Sequence, residues 1–216
     1  DPAWDIYDGV SMGEEIVVVG GSADDGRMEI LSKSGGVNVE AIASVTGASQ
    51  IGRSVLFRDD YAYVGHTEGE LVVWDLLDPI KPQVVASFVP EKSLETQQPM
   101  ANMRLMEDLL FAAVGAQGIR IFDVSNPSRT ELLASYEGQP VVDFVPFNAR
   151  LVVAGGNGIS LVDVSEPKKP TGLDSQINLT LVNGSEPRAV VMNNGIAYVA
   201  DHGESALSLV SIQGEQ

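Results

Sequence analysis

Apolar runs in this chain are short, and turn-forming residues separate them before a helix could be completed. Over residues 53–88 they read RSVLF, YAYVG, LVVWDL and QVVASF, rich in β-branched and aromatic residues. Between them lie Arg58-Asp59-Asp60, His66 to Gly69, and Asp78-Pro79-Ile80-Lys81-Pro82, all with turn chemistry. No stretch sustains a helical period. The least extended segment, Pro90 to Met103, has room for one short helical turn. The pattern therefore predicts four short strands joined by tight turns.

The same pattern recurs. GIRIFDVSNPSRTELLASY (118–136) returns as GISLVDVSEPKKPTGLDSQ (158–176), and GELVVWDLLDPIKPQVVASF (69–88) is a third copy. Asp75, Asp123 and Asp163 end the third strand of their units. Pro79, Pro127 and Pro167 follow four residues later, and Ser87, Ser135 and Ser175 twelve later. Ser32 and Ser211 take the Asp place in two degraded units. A second ruler aligns Val19, Val64, Val114, Ala154 and Val199, each nine residues after Val10, Val55, Leu105, Val145 and Val190. Both rulers count five units, approximately 1–45, 46–88, 89–136, 137–176 and 177–216. Repeated four-stranded units of this length are the mark of propeller blades, which bury their two apolar faces by stacking. The expectation is all-β: a single β-propeller domain, 1–216, of about five antiparallel blades. The last unit stops after its third strand, so that blade is expected to be incomplete; five blades could just close a ring, and the alternative is that the chain is a fragment of a larger ring. A β-sandwich, the competing architecture, does not account for the fixed Asp-to-Pro and Asp-to-Ser offsets.

IRIFDVSNP and ISLVDVSEPKKP resemble the LVIVD repeat of bacterial and archaeal secreted or surface proteins, and IAYVADHGES is similar to that repeat's other half. The resemblance spans essentially the whole chain, strongest in units three and four and faintest in one. It implies a propeller in an extracytoplasmic, prokaryotic setting, and it implies no reaction. The Asp that follows the second strand in such repeats is present as Asp201; Gly21, His66, Ala116 and Gly156 stand elsewhere.

Composition narrows the partners. A net charge of −17 argues against nucleic acid and against anionic membrane surfaces. The absence of Cys removes disulfides, thiolate metal sites and a Cys nucleophile. The sequence carries no signal peptide or transmembrane segment and starts Asp1-Pro2, so it is read as a portion of a longer parent chain with no direct membrane insertion of its own.

Candidate chemistry is sparse. Asp8, Arg53, Asp143 and Arg188, with Met103, precede the first-strand ruler by two residues, and equivalent positions in a propeller ring its axis. Two acids and two bases there form a candidate site for a zwitterionic or sugar-like ligand. Asp24, Asp25, Asp201, His202 and Glu204 are candidate oxygen and imidazole ligands for a metal such as Ca²⁺. His66 is expected in a similar loop. The Asp-x-x-x-Pro places are read as structural, the Asp accepting turn N–H groups. Long loops at Val89–Ala101 and Ile177–Pro187 point to a protein or glycan partner on their face. Two glycosylation sequons, at Asn178 and Asn183, are read as incidental. Nucleophile and phosphate motifs are missing, and Asp8, Asp143 and Glu107 are the only carboxylates placed for a glycosidase pair. The leading expectation is a non-catalytic interaction or adhesion module of a larger secreted or surface protein, with no catalytic residue and no required cofactor. The alternatives are a glycan-binding module, or a glycoside-cleaving or lyase-type enzyme with its site at the axis.

Overall fold

The computed structural model describes residues 4–22, 25–34, 38–48, 51–90, 98–156, 158–173, 179–180, 186–202 and 206–212. They form five antiparallel sheets that follow one another along the chain. Sheet 1 holds β1 (Asp5–Met12), β2 (Glu15–Ser22), β3 (Asp25–Ser34) and β4 (Asn38–Ala48). Sheet 2 holds β5 (Gly52–Arg58), β6 (Tyr61–His66), β7 (Leu71–Asp75) and β8 (Gln83–Phe88). Sheet 3 holds β9 (Asn102–Met106), β10 (Leu109–Ala113), β11 (Ile119–Asp123) and β12 (Glu131–Tyr136). Sheet 4 holds β13 (Asp143–Phe147), β14 (Arg150–Gly155) and β15 (Gly158–Asp163). Its outer strand comes in two pieces that both pair with β15: β16 (Thr171–Gly172) and β17 (Leu179–Thr180). Part of the segment read as a long loop is thus strand. Sheet 5 has three strands, β18 (Pro187–Asn193), β19 (Ile196–Asp201) and β20 (Ala206–Ser211), so the last blade is incomplete as expected.

The turns explain the regularity. First and second strands join through two-residue turns. Asp59 and Asp60 sit at φ 50° and 66°, and Asn194 and Gly195 at 48° and 75°, the left-handed geometry that matches hairpin twist. The turn then anchors the end of the third strand: Leu76 N–H donates to the Asp60 carbonyl at 2.8 Å, Val164 to Ala149 at 2.9 Å and Ile212 to Gly195 at 2.7 Å. One residue earlier, Asp75, Asp123 and Asp163 accept the N–H groups of Leu77, Ser125 and Ser165 at 2.9, 2.9 and 2.8 Å. The recurrent Asp is therefore a turn former. Where Ser32 and Ser211 replace it, the backbone bonds Lys33→Glu14 and Ile212→Gly195 remain. The only helical turn among the described residues is 3-10, Pro127–Arg129, with the Asn126 side chain accepting Ser128 N–H.

By contacts the chain divides into two compact units, Asp1–Met103 with Asp123–Glu131, and Arg104–Phe122 with Leu132–Gln216. In the first, sheets 1 and 2 pack through Val17, Val19 and Ile30 against Val55, Ala62 and Val64. In the second, Phe111 and Ile121 of sheet 3 meet Phe144, Leu151 and Val153 of sheet 4. The opposite face of sheet 4, through Val152 and Leu161, meets Val190 and Val199 of sheet 5. Sheet 4 thus buries both faces, the defining economy of a blade.

Candidate functional site

The first strand of a sheet carries the candidate charges, and a bulge decides where they point. Pairing slips between Ile6 and Asp8 in sheet 1, between Gly52 and Ser54 in sheet 2, and between Pro187 and Ala189 in sheet 5. Each slip leaves one residue out of the ladder: Tyr7, Arg53 and Arg188. These three are the equivalent positions. Asp8 lies one residue further on, opposite Val19, as Asp143 lies opposite Ala154. The sequence alignment that made Asp8, Arg53, Asp143 and Arg188 equivalent is therefore corrected: they form two classes, one residue apart, on a strand where one residue reverses the side chain's face.

The two acids brace strands. Asp8 Oδ2 accepts Val55 N–H at 2.9 Å while its Oδ1 takes Gly9 N–H at 2.8 Å. Asp143 Oδ2 accepts Val190 N–H at 2.9 Å, and Arg104 approaches its Oδ1 at 3.4 Å. Val55 and Val190 each follow a bulge residue by two, so each carboxylate satisfies an N–H just beyond the distortion in the neighbouring sheet. Asp143 is 4 % exposed. Burial raises its pKa above the ordinary carboxylate value, against the lowering pull of the Val190 N–H and Arg104.

Of the two bases, Arg188 is exposed and Arg53 half-buried. Arg53 stacks over the Tyr7 ring, 4.0 Å from its centroid, so consecutive bulge residues touch. Arg188 donates to Glu186 Oε2 at 3.1 Å, and His202 Nδ1 lies 3.3 Å from the same oxygen. Asp201, buried at the end of β19, accepts Glu186 N–H at 2.9 Å and so fixes this cluster's backbone. Trp4 and Arg27 form a second stack, 5.1 Å apart, with Glu29 paired to Arg27. Tyr7, Trp4 and Glu186 escaped the sequence reading. The usable signal was the aromatic next to Asp8 and the acid two residues before Arg188.

The metal candidates fall at two places along the chain. Asp24 and Glu204 lie outside the described residues. Asp25 opens β3 in the first unit, while Asp201 and His202 belong to the second. Among the described residues, no three His, Asp or Glu side chains gather as a metal site. His66 is not in an exposed loop: it ends β6, is 7 % exposed, and its carbonyl accepts the N–H groups of Gly69 and Met100. Burial, aided by Glu68, raises the pKa of nearby Glu70. Glu107 occupies the exposed β9–β10 turn at φ 52°, a turn-making position. Of the long loops, residues 91–97, 177–178 and 181–185 lie outside the described residues.

The LVIVD repeat model matches residues 51–89 and 101–138, the stretches that form sheets 2 and 3. Two of the five units match that repeat. No curated protein matches the chain. Among solved structures, the computationally designed Ika8 protein superposes with a TM-score of 0.70 at 14 % identity, covering 96 % of this chain and 58 % of Ika8. The designed Ika4 protein superposes with a TM-score of 0.60 at 14 % identity, covering 77 % of this chain and 94 % of Ika4. The chain thus spans less than two thirds of Ika8's length. At this identity the likeness concerns the fold alone, a β-propeller module in which two blades match the LVIVD repeat.

Proposed function

We propose that this chain is a non-catalytic interaction or adhesion module of a larger secreted or cell-surface prokaryotic protein. In each unit the bulge residues are offered to a protein or glycan partner: Tyr7 and Arg53 in the first, Arg188 in the second. The observation that carries this reading is the division of labour within the charged set. Asp8 and Asp143 have their carboxylates occupied by backbone N–H groups, whereas Tyr7, Arg53, Glu186 and Arg188 present aromatic and charged surface. A glycosidase needs two carboxyl groups free to protonate and to attack; a carboxylate bound to a strand N–H serves the fold instead. The net charge of −17 favours partners that are basic or neutral. No cofactor enters the reading, and Ca²⁺ at the Asp24–Asp25 or Asp201–Glu204 loops is a side hypothesis tested by adding calcium or EDTA.

The test is binding of the chain to arrays of neutral and charged oligosaccharides and of purified envelope proteins. Combined Arg53→Ala and Arg188→Ala should weaken a detected interaction at least tenfold with the unfolding midpoint nearly unchanged. Unaltered affinity in that variant moves the partner to another surface. Release of reducing sugar from an array oligosaccharide, abolished by Asp143→Asn, would replace the binding module with the enzyme.

A further inference from the structure

The third strands of sheets 2, 3 and 4 end in the same turn. After Asp75, Asp123 and Asp163, the N–H two residues on returns to the Asp carboxylate. Lys81 N–H then closes the turn on the Asp78 carbonyl at 2.9 Å, Arg129 on Asn126 at 2.8 Å and Lys169 on Glu166 at 2.8 Å. Two positions of this turn are exposed in all three sheets. Sheet 3 fills them with Ser125 and Ser128, and sheet 4 with Ser165 and Lys168. Sheet 2 fills them with Leu77, 77 % exposed, and Ile80, 58 % exposed. The same hydrogen bonds form around polar side chains, so the turn itself does not call for Leu or Ile. Apolar residues scattered singly over a surface need no explanation. Two on one tight turn, flanked by Pro79 and Pro82 and followed by exposed Val84, make a patch.

Its setting is acidic. Tyr61 pairs with Asp75, and Asp75 with Gln83, so the β5–β6 and β7–β8 turns share one end of sheet 2. Exposed Asp59, Asp60 and Asp78 stand at that end beside exposed Lys81. Arg58 is turned onto the Val124 carbonyl at 3.0 Å and pairs with Asp59 at 3.6 Å. All these residues belong to the first compact unit. Sheet 2 is also not an end of the repeat series: sheet 1 precedes it, and Pro127–Arg129 packs against β8 while leaving Leu77 and Ile80 exposed. The bulge residue Arg53 lies at the other end of the sheet, next to the Gly52–His66 pair.

We propose that the β7–β8 turn of sheet 2 is a second docking surface, and that its partner is an amphipathic basic segment of another polypeptide. Apolar side chains of that segment cover Leu77 and Ile80, and its Lys or Arg residues meet Asp59, Asp60 and Asp78. Charge selects this occupant. A second copy of the chain brings a further −17 to an end that is already acidic, whereas a basic segment is steered toward it. An apolar centre with a charged rim is the ordinary anatomy of such a contact. The surface is independent of the bulge residues and of the role proposed for them.

The probe is a synthetic peptide of Leu and Lys at amphipathic helical spacing. Two controls carry Glu in place of Lys and Ser in place of Leu. Binding to the 216-residue chain is followed by fluorescence anisotropy in low and high NaCl. The Leu–Lys peptide should bind, less tightly in high salt, and both controls should bind at least tenfold more weakly. Leu77→Ser with Ile80→Ser, the residues of the sheet 3 turn, should weaken binding at least tenfold. Circular dichroism and the unfolding midpoint of that variant should match the parent, because both side chains are exposed. Asp59→Asn with Asp78→Asn should weaken binding and flatten its salt dependence. Arg53→Ala with Arg188→Ala should leave it unchanged, so the two surfaces fail separately. No binding of the Leu–Lys peptide overturns the proposal. So does binding that the Ser exchange leaves intact, that either control peptide matches, or that is lost equally in the Arg variant. Self-association of the parent in sedimentation, abolished by the Ser exchange, gives the patch to a second copy and overturns it as well.

Discussion

Asp143 in β13 accepts the backbone N–H of Val190 in β18 at 2.9 Å, and Asp8 stands in the same relation to Val55. The bond spans 47 residues of sequence in both cases. An acceptor at this place is needed because the bulge breaks the ladder next to a buried N–H. Asp143→Ala should destabilise the chain by about 1–3 kcal/mol, the cost of orphaning a buried donor. Asp143→Asn keeps an acceptor without the buried charge and should cost far less. Denaturant unfolding at neutral pH separates the two.

Asp143 and Asp163 are shifted in opposite directions. Burial raises the Asp143 pKa, so its contribution favours the fold most below the ordinary carboxylate value and declines as pH rises through the window up to the raised value. The Asp163 pKa is lowered by hydrogen bonds from Ser165. Its contribution is present above the ordinary value and lost as pH falls through the lowered one. Asp143→Asn should therefore flatten the decline on the alkaline side of pH 4, roughly where an unperturbed Asp titrates. Asp163→Asn should remove part of the acid-side loss. Unfolding midpoints followed across that range read both.

Equivalent third-strand positions should respond unequally. Ile121→Ala, within the sheet 3–sheet 4 core, should cost about 2–5 kcal/mol. Leu209→Ala, at an exposed position of sheet 5, should stay within about 0.5 kcal/mol, as exposed sites do. Similar losses at the two would mean that the face of sheet 5 is covered.

Asp60 takes a left-handed φ of 66° while its carbonyl holds Leu76 N–H at 2.8 Å. Asp60→Gly keeps that carbonyl and relieves the conformation, so it should stabilise by about 0.5–1 kcal/mol. Gly118 is the reverse case: its φ is 80°, and an added Cβ would collide with the Tyr136 carbonyl. Gly118→Ala should lower the midpoint by more than the usual glycine-to-alanine change gains.

The strand count, the Asp-x-x-x-Pro turns and the truncated fifth unit were legible because each rests on local chemistry that repeats. The register was not. Val17-Val18-Val19 and Leu151-Val152-Val153-Ala154 are apolar without alternation, since the strands are covered on both faces, and period two then cannot tell one face from the other. The added residue at Tyr7, Arg53 and Arg188 shifts the frame, and although Gly52 and Pro187 stand just before it in two sheets, Gly and Pro punctuate this chain too often to single it out. As a result Val10 and Val145 share the strand but not the face of Val55 and Val190. Asp8 and Arg53, read as neighbours on a ring, proved to be a brace and a surface contact.

The bulge has one further consequence. A residue outside the ladder belongs to neither packed face, so its identity is uncoupled from the volume that each blade must fill. Tyr, Arg and Arg already occupy that place in three sheets of one chain. The repeat can thus diversify blade by blade at a single point while the rest is held constant. On the proposed function, a library randomised only at positions 7, 53 and 188 should change partner binding more than it changes the unfolding midpoint.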